Sequence, residues 1–128
     1  MATVRAHMAR DLLTVDPALS LVEVARRMVE RNVGAVLVLE GGELAGILTE
    51  RDLMRALARG LRDDATVADS MTRGPETIAP DELMAHAATL MIHGGFRHLP
   101  VVEGGEVVGI VSIRDLVQVL EDSAPRGA

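Results

Sequence analysis

Hydrophobic and polar positions along the first half of the chain predict a strand followed by a helix. The apolar run LLTV at residues 12–15 predicts a short strand, which Asp16 and Pro17 end. SLVE at 20–23 has the form of a capping box and predicts the start of a helix. Apolar residues then recur at helical spacing, at Leu21, Val22, Ala25, Met28 and Val29.

A β-hairpin and a second helix complete this unit. AVLVLE at 35–40 and ELAGIL at 43–48 predict two strands joined by the two-residue turn Gly41-Gly42. A helix is predicted from about Glu50 to Arg59, where Gly60 ends it. The unit therefore has the order β-α-β-β-α.

The same pattern recurs 63 residues later without a gap. GILTERD at 46–52 corresponds to GIVSIRD at 109–115, and EGGE at 40–43 corresponds to EGGE at 103–106. The second copy predicts strands at 76–78, 97–102 and 106–111 and helices at 82–93 and 113–121. Such self-similarity indicates a duplicated supersecondary unit.

We therefore predict an α/β fold of tandem β-α-β-β-α repeats related by a pseudo-two-fold axis. Repeat 1 covers residues 1–60 and repeat 2 covers 61–122, with GLRDDATV at 60–67 as a polar linker. Residues 123–128 have no pattern and are predicted to form a disordered tail. Each repeat is near the lower size limit for an independent core, so the two are expected to pack together and to leave a ligand-sized cleft between them.

Composition narrows the class of protein. The 128 residues are 48% hydrophobic and 25% charged, as in globular domains, and the net charge of −6 argues against nucleic acid as a partner. The absence of cysteine excludes disulfides, thiolate metal sites and cysteine nucleophiles. No apolar run reaches the ~18 residues of a membrane span, so we expect a cytoplasmic protein without a membrane partner.

The repeated heptapeptide has two interpretations. Thr49 and Asp52 fit the S/T-x-x-D/E capping box at a strand-to-helix junction, and Ser112 and Asp115 repeat it. Alternatively, the hydroxyl donates to a phosphate at a helix N-terminus while the carboxylate accepts both hydroxyls of a ribose. The two roles are compatible, because a residue that caps a helix can also contact a ligand.

The gapless duplication and the motif G-h-h-[TS]-x-x-D in both copies resemble a pair of CBS domains, also called a Bateman module. The segments VRAHM and VADSM, the pairs TVDP and TIAP, and RHLPVVEGGEVVGIVSIRD at 97–115 carry the same resemblance over residues 4–121. The resemblance implies a stand-alone regulatory pair that binds an adenosine-containing ligand, such as AMP, ADP, ATP or S-adenosylmethionine. It also implies a flat homodimer and a separate protein partner.

The resemblance also implies roles for individual residues. Ribose would be bound by Asp52 and Asp115, and phosphate or ribose hydroxyls by Thr49 and Ser112. Adenine would meet backbone groups of Thr14-Val15 and Thr77-Ile78. Phosphate would be contacted by basic side chains, namely Arg51, Arg97, His98 and Arg114. The positions equivalent to Arg97 and His98 are Gly34 and Ala35, so the two copies are expected to bind ligand unequally.

Other chemistry has little support in the sequence. His86 and His93 are seven residues apart, which is poor spacing for a metal site, and we predict none. No nucleophile elbow or phosphate-binding glycine loop is present, so we expect neither catalysis nor a catalytic cofactor. The favoured function is a non-catalytic nucleotide-binding regulator. The alternative is an interaction and dimerisation module without a physiological nucleotide.

Overall fold

The structure is a computed structural model that describes residues 1–123. It divides into two compact units: unit 1 contains Met1–Asp11 and the described residues from Glu76 to Ser123, and unit 2 contains Leu12–Pro75. Along the chain, the elements are α1 (Val4–His7), β1 (Thr14–Val15), α2 (Leu21–Arg31), β2 (Ala35–Glu40), β3 (Glu43–Thr49), α3 (Glu50–Ala58), α4 (Val67–Ser70), β4 (Thr72–Arg73), α5 (Met84–Gly94), β5 (His98–Glu103), β6 (Glu106–Ser112) and α6 (Ile113–Ser123).

Unit 2 is built on a four-stranded sheet in the order β1-β2-β3-β4. β1 pairs in parallel with β2, and the β2–β3 hairpin and the β3–β4 pair are antiparallel. The helix α2 buries Leu21, Val24 and Met28, which join the β-branched strand residues in one cluster. The hydrophobic effect of this burial holds the sheet and helices together. Of the apolar positions predicted for this helix, Val22 and Val29 are instead exposed.

Unit 1 repeats this arrangement with fewer paired residues. Its hairpin is β5–β6, and Ile78 forms a single parallel bridge to Val101, as β1 does to β2. Ala9 forms an antiparallel bridge to Ile110 on the other side of the hairpin, as β4 does to β3. The predicted α/β fold of two repeated units is confirmed, with the bridge at Ile78 in the place of the first strand of the second copy.

Residues 2–9 and 65–72, which we call the leading segments, each pack in the unit of the other sequence repeat. The carbonyl of Ala2 accepts a hydrogen bond from the N–H of Met84 at 2.9 Å, and the carbonyl of Ala65 accepts one from the N–H of Leu21 at 3.0 Å. Each packed unit therefore includes the leading segment of the other sequence repeat. For this reason the bounds of the units differ from those of the repeats, 1–60 and 61–122.

The glycine of each heptapeptide lies under a leading segment. An added Cβ at Gly46 would lie 2.7 Å from the carbonyl oxygen of Thr72 and 2.9 Å from the sulfur of Met71. At Gly109, an added Cβ would lie 2.5 Å from the sulfur of Met8. These two positions have glycine because backbone and methionine approach the strand too closely for a side chain.

Several sequence predictions need correction in detail. Only residues 14–15 of LLTV are a strand, and the predicted strand at 76–78 reduces to the bridge at Ile78. The predicted linker is not only polar, because Val67 at its end is completely buried in the core of unit 2 and starts α4.

The predicted ends of the first helix and of the chain also change. Ser20 caps α2 as predicted, but Glu23 forms an ion pair with Arg27 at 3.1 Å. Of the predicted tail 123–128, Ser123 belongs to α6, and the remainder lies outside the described residues.

Candidate functional site

Each unit contains a corner where the second strand of its hairpin ends and the following helix begins. In unit 2, the corner is formed by Thr49 and Asp52, and in unit 1 it is formed by Ser112 and Asp115. We call these the unit 2 corner and the unit 1 corner. Both are built by the same local rule, because a hydroxyl residue before a helix and an acid three residues later satisfy the free N–H groups of the first turn.

The unit 2 corner is a complete capping box. Asp52 Oδ2 accepts hydrogen bonds from the Thr49 backbone N–H at 2.8 Å and from Thr49 Oγ1 at 3.1 Å. Thr49 Oγ1 accepts in turn from the Asp52 N–H at 3.3 Å. The capping interpretation of the heptapeptide is therefore confirmed in this unit.

The unit 1 corner has the same carboxylate geometry. Asp115 Oδ2 accepts hydrogen bonds from the Ser112 N–H at 2.7 Å and from Ser112 Oγ at 3.1 Å. In both corners, Oδ2 accepts both of the hydrogen bonds that the carboxylate receives from the capping residue, and Oδ1 accepts neither. A carboxylate oxygen can accept up to two hydrogen bonds, so Oδ1 is the atom with capacity for a ligand.

The two Oδ1 atoms have different surroundings. Asp52 is only 9% exposed, and its Oδ1 lies 3.9 Å from Arg55 Nη1. Asp115 is half-buried, and Gln118, which stands where unit 2 has Arg55, instead donates to Asp122 at 3.2 Å. Unit 1 therefore presents the more accessible carboxylate, without a neighbouring arginine at this position of its helix.

A backbone carbonyl borders each corner. The N–H of Glu50 donates to the carbonyl of Gly34 at 3.0 Å, and the N–H of Ile113 donates to the carbonyl of Arg97 at 2.9 Å. These bonds hold the residue before β2 or β5 against the start of the helix. The backbone of Arg97 is thereby fixed beside the unit 1 corner, and Arg97 as a whole is exposed to solvent.

His98 is the next residue and is half-buried opposite Ser112 in the β5–β6 register. Arg51 and Arg114 are the second residues of α3 and α6 and are exposed. The structure thus brings the predicted basic residues of unit 1 to the same strand end as Asp115, whereas unit 2 has Gly34 and Ala35 at the equivalent places.

The residues predicted to meet adenine lie further from the corners. Thr14 pairs with Leu37, which pairs with Ile47, so Thr14 is two strands across and two residues along from Thr49. With strands ~4.8 Å apart and a rise of ~3.3 Å per residue, the two Cα atoms are about 12 Å apart. Thr14 and Thr77 are exposed, whereas Val15 and Ile78 are buried, so each pair offers a hydroxyl residue and backbone at the surface.

Sequence reasoning missed two features of the site. The approach of Arg55 to Asp52 follows from their i,i+3 spacing on one helix, which brings side chains together. The contact of the leading segments with Gly46 and Gly109 had a weaker signal, the recurrence of Met8 as Met71. Within residues 1–123, no cluster of three or more potential metal ligands is present, and no helix is long and apolar enough to cross a membrane.

The comparison with known proteins matches both repeats. A family model described as CBS domain matches residues 4–59 and again 66–122. The chain therefore belongs to the CBS domain family, as a tandem pair. CBS domain-containing protein CBSCBSPB2 of Arabidopsis thaliana is 37% identical over 133 residues, which cover 98% of this chain and 25% of that protein. This chain thus spans about a quarter of that relative's length.

Solved structures agree with this assignment. The CBS domain pair of protein MJ0100, crystallised in complex with 5′-methylthioadenosine and S-adenosyl-L-methionine, has a TM-score of 0.89 and 27% identity, covering 97% of this chain and 99% of that one. The CBS domain protein PAE2072 from Pyrobaculum aerophilum, complexed with AMP, has a TM-score of 0.84 and 27% identity, covering 93% and 96%. The ligands of both structures contain adenosine.

Proposed function

We propose that this chain is a non-catalytic regulatory module that binds an adenosine-containing nucleotide and signals to a protein partner when the nucleotide is bound. The observation that carries the proposal is the repeated corner, in which Oδ2 of Asp52 or Asp115 caps a helix and Oδ1 is left out of the cap. An ionised oxygen at this position suits the paired hydroxyls of a ribose, because hydrogen bonds to a charged acceptor are the stronger ones. Relatives solved with AMP and S-adenosyl-L-methionine support the ligand class.

The unit 1 corner is proposed as the stronger site. Asp115 is more accessible than Asp52, and Arg97 and His98 stand at the same strand end. A guanidinium suits phosphate oxygens through paired charge-assisted hydrogen bonds. Thr77-Ile78 and Thr14-Val15 are proposed to receive adenine through backbone groups. Their distance from the corners, about 12 Å in unit 2, suits a nucleoside-sized ligand better than a single ion.

A homodimer is the second part of the proposal. Large apolar side chains lie exposed on the helices of both units, including Met54, Leu57, Val117 and Leu120. Exposed apolar patches of this kind mark association surfaces. This observation also favours the alternative function, a dimerisation module with no physiological nucleotide. The cytoplasmic location stays a prediction from the sequence.

A thermal-shift panel of AMP, ADP, ATP, S-adenosylmethionine and NAD separates the two functions. A ligand that binds only the folded state raises the free energy of unfolding by RT ln(1 + [L]/Kd). The melting temperature should therefore rise with ligand concentration for one or more adenosine compounds. Guanosine and cytidine monophosphates are the matched controls. No concentration-dependent rise with any adenosine compound would leave the dimerisation module as the function.

A further inference from the structure

The turn from α5 into β5 places the single phenylalanine of the chain, Phe96, directly before Arg97. Gly95 ends α5 in the left-handed conformation, with φ at 72°. The N–H groups of Gly95 and Phe96 both donate to the carbonyl of Met91, at 2.9 and 3.2 Å. Phe96 is half-buried and packs against the hydrophobic core of unit 1, so the turn is anchored in the core immediately before Arg97.

The phenyl ring of Phe96 lies against Gly94, the last residue of α5. An added Cβ at Gly94 would be closest to Cε1 of the ring, and it would lie 2.6 Å from Cδ1 and 2.9 Å from Cζ. Carbon atoms that are not bonded to each other prefer separations of about 3.5–4.0 Å. Any side chain at Gly94 would therefore push the ring out of its place against the core.

The equivalent turn of unit 2 has the opposite combination of sizes. The residues 63 positions before Gly94 and Phe96 are Arg31 and Val33. The turn itself is alike, because the N–H of Val33 donates to the carbonyl of Met28 at 3.0 Å, which is the equivalent bond. A residue with a Cβ thus accompanies a small branched side chain in unit 2, and glycine accompanies a large ring in unit 1. The two positions are matched as a pair in each unit.

Arg97 is the residue that this pair holds in unit 1. It follows Phe96 directly, where unit 2 has Gly34, and its carbonyl accepts a hydrogen bond from the N–H of Ile113 at 2.9 Å. The buried ring before it and this hydrogen bond after it fix the backbone of Arg97 at two points, while Arg97 is exposed. An arginine on a fixed backbone loses less conformational freedom when it binds phosphate than one on an unanchored turn.

We propose that Gly94 and Phe96 are positioning residues, which hold Arg97 at the unit 1 corner for the phosphate of the nucleotide. The inference rests on the proposed function and adds how the phosphate contact is built. The pair acts through Arg97 and does not itself touch the ligand. Ordering one long side chain on binding corresponds to a factor of roughly 2 to 12 in affinity, so loss of positioning should weaken ATP binding by about that factor and leave adenosine binding unchanged.

Gly94→Ala tests the proposal, because the new Cβ displaces the ring while alanine itself favours a helix. Calorimetry should show ATP binding weakened roughly 2- to 12-fold and adenosine binding unchanged. When Arg97→Ala is also present, Gly94→Ala should weaken ATP binding no further. Adding Phe96→Val to Gly94→Ala should restore part of the lost affinity, because valine leaves room for the Cβ, as in unit 2. His93→Ala, at the neighbouring exposed position, is the matched control and should bind ATP like the wild type.

Amide hydrogen exchange supplies a readout that needs no nucleotide. Gly94→Ala should speed exchange at the N–H of Ile113, which is bonded to the Arg97 carbonyl, and leave exchange unchanged at the N–H of Glu50, which forms the equivalent bond in unit 2. Unchanged exchange at Ile113, or an equal loss of ATP affinity with and without Arg97, would overturn the positioning role. A wild-type chain that binds no adenosine compound would instead overturn the proposed function, and with it the phosphate contact of Arg97.

Discussion

The double role of the corner carboxylates can be separated by the substitutions Asp52→Asn and Asp115→Asn. In the structure, Asp115 Oδ2 accepts two hydrogen bonds, at 2.7 and 3.1 Å. An asparagine amide oxygen in the same place keeps both bonds, and only the negative charge at the helix N-terminus is lost. That loss corresponds to about 0.3–1 kcal/mol of unfolding free energy. Binding should suffer more, because the amide replaces Oδ1 with an NH₂ group that can only donate.

The expected loss of affinity follows from the charged acceptor. Hydrogen bonds to charged groups contribute about 1.5–3 kcal/mol, so Asp115→Asn should weaken nucleotide binding roughly 10- to 150-fold. Asp52→Asn should have a smaller effect, because Arg55 already lies 3.9 Å from Oδ1 of Asp52. Isothermal titration calorimetry with the nucleotide selected by the thermal-shift panel measures the affinity, and urea unfolding measures stability.

Asp69→Asn is the matched control for these variants. Asp69 Oδ2 accepts from the Thr66 N–H at 2.8 Å and from Thr66 Oγ1 at 3.3 Å, as in the corners, but at the start of α4. This variant should lose a similar amount of stability and no affinity. Unchanged affinity in Asp52→Asn, Asp115→Asn and the double variant would show that the repeated acids only cap helices, and would refute the ribose-binding role.

Four further predictions concern single positions. Arg97→Ala should weaken ATP binding by about 1–3 kcal/mol and adenosine binding much less, and equal losses by calorimetry would make Arg97 structural. Arg55→Gln, which copies Gln118, should free Asp52 Oδ1 and tighten binding at the unit 2 corner in the same titration. Gly46→Ala should cost about 1–3 kcal/mol in urea unfolding because its Cβ would meet the backbone oxygen of Thr72, and an equal stability to wild type would contradict that contact. The hydrogen bond from the Thr66 backbone N–H lowers the pKa of Asp69 below 3.8. The ionised Asp69 therefore stabilises the folded state above pH 3.8, and this stabilisation is lost as the pH falls through the lowered pKa. Asp69→Asn should flatten this part of an acid unfolding curve.

The regular elements could be predicted from the sequence because each carries its own periodicity. The β2–β3 and β5–β6 hairpins and the helices that follow them lie within a few residues of the predicted bounds. The packing of each leading segment in the unit of the other sequence repeat could not be predicted in this way. Each contains one turn of helix and bridging residues, such as Ala9 and Thr72, and such short pieces have no period. Their partners are also distant in sequence, and only the folded core shows that Val67 is buried.

The site was predictable to the extent that its residues also have local roles. The spacing of Thr49 and Asp52 alone indicates a helix cap, and the structure has the cap. The difference between the two corners depends on which residues surround each carboxylate. Arg55 lies beside Asp52 on the same helix, and the hydrogen bond from the Ile113 N–H that fixes the Arg97 carbonyl joins residues distant in sequence.

This distinction decides which residues carry information about a ligand. Helix capping alone is sufficient to keep a hydroxyl and an acid in both copies of the repeat, so the likeness of GILTERD and GIVSIRD does not by itself require a nucleotide. Positions without a structural demand are free to differ, and there the copies do differ: Arg97 replaces Gly34, and Gln118 replaces Arg55. Together the two changes move the cation of unit 1 from the helix to the strand end, because Arg97 adds one beside the strand end and Gln118 takes the place of one on the helix. If the corners bind nucleotide, the phosphate should therefore be held from the Arg97 side, and Arg97→Ala should discriminate between ATP and adenosine where the capping acids cannot.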